Sequence, residues 1–128
     1  MNTSRKKKIL IADDDFTSRR LLERIVRDNF NASLQTAEDG SQALQIMIKE
    51  LPDLLILDMV MPVMNGIEVL RTMKQNSRLS TVPVIACTAV ADNSVVKEVL
   101  RFGIKNYIKK PIQADAVVKK ISDVICMS

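Results

Sequence analysis

Two short runs constrain the fold most, Ile9-Leu10-Ile11-Ala12 and Leu54-Leu55-Ile56-Leu57. Neither alternates apolar with polar residues, so neither can turn one face to water. Their length and branching predict strands buried on both faces, as in a parallel sheet covered by helices on each side. The intervening segments fit that scheme. Residues 16–29 place Leu21, Leu22, Ile25 and Val26 on one helical stripe. Residues 32–37 predict a weaker strand. Asp39-Gly40-Ser41 predicts a turn and helix start ahead of Ala43, Leu44, Met47 and Ile48. Ile67, Leu70 and Met73 then recur at helical steps. Val82 to Cys87 predicts a fourth strand entered through Pro83, where proline is tolerated. Val95, Val96, Val99 and Leu100 predict another helix, and Ile104 to Ile108 a short fifth strand. Val117, Val118, Ile121, Val124 and Ile125 line a last helix. The expectation is an α/β fold of five β-α units in one domain, residues 1–128. Residues 1–7 form a basic N-terminal tail.

Composition narrows the chemistry. The 128 residues are 47% hydrophobic and 27% charged, ordinary for one globular domain that needs no staples. There is no histidine. That excludes Ser-His-Asp and Cys-His catalysis, histidine-ligated zinc and any phosphohistidine formed on this chain. Cys87 and Cys126 are not a C-x-x-C pair and fit free thiols, with Cys87 a buried small hydrophobe. No apolar stretch reaches transmembrane length, and the polar, basic start is not a signal peptide, so a cytoplasmic location is expected. The formal charge of +4 is unevenly spread. Arg5, Lys6, Lys7 and Lys8 are basic, residues 9–96 hold eight basic against twelve acidic residues, and residues 97–128 hold seven against three. With only Phe16, Phe30, Phe102 and Tyr107 aromatic and no nucleic-acid motif, no nucleic-acid partner is expected.

In open parallel sheets ligands bind beyond the carboxyl ends of the strands. Asp13, Asp14 and Asp15 follow the first apolar run, Asp58 the third strand, Thr88 the fourth, and Lys110-Pro111 the fifth. Clustered carboxylates raise one another's pKa unless a cation compensates, and a hard ion such as Mg²⁺ suits them. A hydroxyl and an ammonium beside them suit phosphoryl oxygens. The constellation reads as Mg²⁺-assisted phosphoryl transfer to a carboxylate.

Asp13-Asp14, Asp58-x-x-Met61-Pro62-x-x-Asn65-Gly66, Thr88-Ala89 and Lys110-Pro111, in this order and spacing, resemble the receiver domain of two-component response regulators, of the CheY-like single-domain type. The match runs from Lys8 onward. The resemblance implies a flavodoxin/CheY-like doubly wound (β/α)5 fold with a five-stranded parallel sheet in strand order 2-1-3-4-5. It implies that Asp58 is the phosphoacceptor, taking a phosphoryl group from a phosphohistidine on a sensor histidine kinase or a histidine phosphotransfer protein. Asp14, Asp58 and the backbone carbonyl of Val60 would ligate Mg²⁺, with Asp13 acting largely through water. Lys110 would pair with Asp58, and Thr88 would bind the phosphoryl group. Tyr107 would be the switch aromatic, and Lys110-Pro111 matches a position often held cis. Output would leave through the fourth helix, fifth strand and fifth helix to a protein target with an acidic surface. The chain would act alone, as a monomer that can dimerise through that face, without small-molecule turnover or membrane insertion.

Some residues depart from the family pattern. Asn65 replaces the common Asp but can still cap a helix. Phe102 and Ile104 flank Gly103 where small residues are common. Val60 and Val90 stand where polar side chains can orient a hydrolytic water, so a long-lived phosphoryl group is expected.

Two rival readings differ in class. Asp13-x-Asp15-x-Thr17 fits a haloacid-dehalogenase-like phosphatase with Asp13 as nucleophile, which leaves Asp58 without a role. A receiver-like binding module without phosphorylation leaves the complete Asp13, Asp14, Asp58, Thr88 and Lys110 set unexplained. Several residues carry plainer readings. Asp15 is a helix-entry acid, Asp53 starts a strand, Met59, Met61 and Met64 pack, and Lys109 faces outward. Arg20, Arg24 and Arg27 share a helix face, either simply solvated or used to dock the phosphodonor.

Overall fold

The computed structural model describes residues 6–89 and 93–125. Five strands, β1 (Lys7–Ala12), β2 (Ala32–Ala37), β3 (Leu54–Asp58), β4 (Val84–Thr88) and β5 (Asn106–Lys109), alternate with five helices. These are α1 (Phe16–Asn29), α2 (Gly40–Lys49), α3 (Gly66–Lys74), α4 (Asn93–Arg101) and α5 (Ala114–Ile125). All strand pairs are parallel, in the order β2-β1-β3-β4-β5. The expected topology is observed.

Alternation along each buried strand divides the core in two. Leu10, Leu55, Leu57 and Ala86 pack against α2, α3 and α4. Ile9, Ile11, Ile56, Ile85 and Cys87 pack against α1 and α5. Among the described residues the buried polar groups, Asp13, Asp58 and Thr88, lie at the carboxyl ends of the strands, which is why the bodies of β1 and β3 read as continuous apolar runs.

Local chemistry sets the helix starts that frame the C-terminal rim of the sheet. Asp15 caps α1 by accepting from Ser18 N, and Asp39 caps α2 by accepting from Gln42 N. Asn65 opens α3 in a reciprocal capping box with Glu68. The Asn65 cap, the helix-entry role of Asp15 and the outward Lys109 all match expectation.

Several strand boundaries need correction: β1 begins at Lys7 rather than Ile9, β3 takes in Asp58, β5 takes in Lys109, and β4 and β5 start later than expected. β4 starts at Val84, because Val82 closes a 3₁₀ turn over Leu79–Thr81 and Pro83 has no N–H for the ladder. At its other end β4 takes in Thr88. β5 starts at Asn106, because Gly103, at φ 79°, ends the helical segment and displaces pairing to Ile85↔Asn106. Asp53 does more than start a strand. Its carboxylate accepts from Lys8 N at 2.8 Å and its N–H donates to Lys8 O at 2.7 Å, fixing β3 against β1.

Candidate functional site

The rim holds the predicted residues together. Asp13 lies one residue past β1, Asp58 and Thr88 end β3 and β4, and Lys110 follows β5. Carboxylate oxygens of Asp13, Asp14 and Asp58 lie within 4.8 Å of one another. Asp13 is 1% exposed and Asp58 5%, while Asp14 faces solvent.

The two buried acids are oriented. Asp13 Oδ1 accepts from Asp15 N at 2.9 Å, and Asp58 Oδ1 accepts from Val60 N at 3.2 Å. Lys110 Nζ reaches both carboxylates, 3.3 Å from Asp58 Oδ2 and 3.2 Å from Asp13 Oδ2. The first contact is a hydrogen bond. The second is an ion pair, and Lys110 is the cation that meets the buried Asp13 Oδ2.

Three carboxylates face one ammonium, so negative charge is in excess. Burial pushes the Asp58 carboxyl up to about 6, with the Asp13 charge adding to the rise and Val60 N–H and Lys110 opposing it. Burial acts against the Lys110 charge, yet Asp58 and Asp13 outweigh it and hold the ammonium above its ordinary value. Three converging carboxylates, with more negative charge than Lys110 can offset, fit a divalent cation such as Mg²⁺.

Tyr107 is 36% exposed at the edge of a small cavity of about 10 Å³ lined by Met59, Ala86, Thr88, Val99 and Leu100. A tyrosyl ring cannot enter that space unless its walls move. Lys110-Pro111 is cis. Met59 and Met61 are buried in the core, as the packing reading expects. Cys87 is a buried free thiol, and burial pushes it up to about 12, so it is not a nucleophile. The Val60 side chain is exposed beside Asp58, whereas Val90 lies outside the described residues. Arg24 and Arg27 make long i,i+4 pairs with Asp28 and Glu23.

Two features escaped sequence reading. Arg19 Nη1 donates to Asp13 O at 2.8 Å, so the first turn of α1 holds the backbone that carries the acid. Val63 adopts φ 66° in the loop between β3 and α3. No sequence signal marks the first. The second hides because valine is a poor choice there.

Comparison with known proteins agrees with this geometry. The family described as response regulator receiver domain matches residues 9–122. The chemotaxis protein CheY of Pseudomonas aeruginosa is 35% identical over 117 residues, covering 91% of this chain and 94% of its own. The crystal structure of a putative response regulator from Chloroflexus aurantiacus superposes with a TM-score of 0.88 at 29% identity, covering 95% of this chain and 99% of that one. A chain in the co-crystal structure of the Saccharomyces cerevisiae histidine phosphotransfer protein Ypd1 with the receiver domain of Ssk1 gives a TM-score of 0.84 at 27% identity, covering 95% and 90%. No described helix is long and apolar enough to cross a membrane. Topology, rim chemistry and family match converge, and the chain belongs to the response regulator receiver domain family.

Proposed function

We propose that this chain takes a phosphoryl group onto Asp58 from a phosphohistidine on a sensor histidine kinase or histidine phosphotransfer protein, in the cytoplasm. The observation that carries this is the buried Asp13–Asp58 pair, with Asp14 beside it and one ammonium bridging the two buried carboxylates. An Asp58 oxygen attacks phosphorus as the P–N bond breaks, and the electron pair leaves on the donor imidazole. Val60 N–H holds the other Asp58 oxygen and orients the attack. Asp13, Asp14, Asp58 and the Val60 carbonyl would hold Mg²⁺, which supplies charge neutralisation for the phosphoryl oxygens. Lys110 then turns from carboxylates to phosphoryl oxygen, and the Thr88 hydroxyl binds another.

A hydroxyl drawn toward the new dianion leaves the wall of the cavity beside Tyr107. The ring can then fill it, which changes the α4-β5-α5 surface for a protein target. The test is Mg²⁺-dependent labelling by radiolabelled acetyl phosphate, followed by peptide mapping. Label on Asp58, lost in Asp58→Asn, is the expected result. Label on Asp13 would indicate the phosphatase reading, and no label a binding module.

A further inference from the structure

The far end of the molecule carries a feature that phosphoryl transfer does not use. A groove opens beneath α3 and the α4–β5 connection. One lobe, about 190 Å³, is lined by Leu70, Met73 and Lys74. A second, about 350 Å³, reaches Gly103, Lys105 and Val124. The lobes share Ser80, Val82, Val84, Phe102 and Ile104, so they form one continuous groove. Phe102 and Ile104 are the two bulky residues that flank Gly103, and both are only half-buried.

The charge of this groove is one-sided. Lys74 and Lys105 border it, no carboxylate lines either lobe, and neither ammonium has an ion pair among the described residues; the adjoining depression past Thr81 and Val124 adds Asp53, whose carboxylate is taken by Lys8 N–H. Lys74 Nζ lies 5.9 Å from the centre of the Phe102 ring. Helix-end electrostatics accounts for Lys74 in the last turn of α3. It does not account for Lys105, which lies beyond α4, or for the apolar floor. The groove sits at the start of β4 and β5, about 13 Å of strand away from Thr88. An occupant would leave the acidic pocket open.

We propose that this groove docks an acidic amphipathic segment of a partner protein. Two apolar side chains on one face enter the lobes on either side of Phe102, and flanking Asp or Glu residues meet Lys74 and Lys105. The mode is an amphipathic segment in an apolar groove, with specificity from the unpaired cations. It is independent of Asp58, so docking persists whether or not that residue accepts phosphate.

The test selects a random peptide library displayed on phage against the full chain, then measures the enriched peptides by fluorescence anisotropy. The expected consensus pairs apolar residues at helical spacing with Asp or Glu. Binding should weaken about tenfold in the surface variant Lys74→Glu/Lys105→Glu and again as salt rises. Phe102→Ala should abolish it, with circular dichroism checking that the variant is folded. No enrichment, a basic or uncharged consensus, or binding unchanged in both variants would each overturn the proposal. Labelling of Asp58 by acetyl phosphate serves as the separate readout for the rim.

Discussion

Replacing the buried acid at the centre of the rim should stabilise the metal-free protein. Asp58 titrates near 6 in the folded chain, against an ordinary value of 3.8. Its charged form is therefore disfavoured by folding. The folded state holds the extra proton between those two values, so this destabilisation is absent below about pH 4, grows as pH rises, and is complete above about pH 6. Two pKa units correspond to roughly 3 kcal/mol as an upper bound. In Asp58→Asn the amide oxygen can keep the Val60 hydrogen bond, and Lys110 keeps Asp13 at 3.2 Å. That shift is already net of the Lys110 attraction, and relaxation of the rim with water entry trims the gain to about 1–2 kcal/mol. Urea unfolding in EDTA should show that gain at pH 7.5 and little of it at pH 4.5. Adding Mg²⁺ should stabilise wild type more than Asp58→Asn, closing the gap by mass action. A variant no more stable than wild type at pH 7.5 without metal would refute the reasoning, as would a gain independent of pH.

Lys110→Ala leaves two buried carboxylates uncompensated and should cost about 2–4 kcal/mol in urea unfolding. The same variant should bind Mg²⁺ more tightly by calorimetry, since a competing cation is gone, yet label more slowly with acetyl phosphate. Val63→Gly releases a β-branched residue from φ 66° at an 81% exposed position, so the urea midpoint should rise by the equivalent of about 1 kcal/mol. Gly40→Ala should destabilise by about 2 kcal/mol or more, because its Cβ would lie 2.4 Å from Met64 O and 2.6 Å from Val69 Cγ2. Val60→Asn with Val90→Glu should speed phosphate release in a stopped-label assay. An unchanged rate would remove the shielding role of the valines.

What could be read from the sequence follows from burial. The runs at Ile9 and Leu54 admit only doubly covered strands, and their neighbours at Asp13 and Asp58 had to emerge at one rim. Strand ends were less legible. Thr88 and Lys109 join the ladder through backbone pairing that side-chain pattern does not encode. The entries to β4 and β5 moved because Pro83 and Gly103 act on backbone geometry rather than hydropathy. The shared grip of Lys110 on Asp13 as well as Asp58 needs three-dimensional distances, since 52 residues separate Lys110 from Asp58. Arg19 lies only six positions from Asp13, but its reach to that carbonyl depends on how α1 leaves β1, which no side-chain pattern encodes.

The strand order also sets a timetable for the charges. β1 and β3 are neighbours, with Ala12 beside Leu57, so both central acids are in the chain by residue 58. Their ammonium arrives only after β5, which pairs with β4 and with no other strand. A nascent chain that ends before Lys110 can bring Asp13 and Asp58 together only with a proton or a dissolved cation in its place. Magnesium therefore has its largest part to play while the chain is still being made, before residue 110 has emerged.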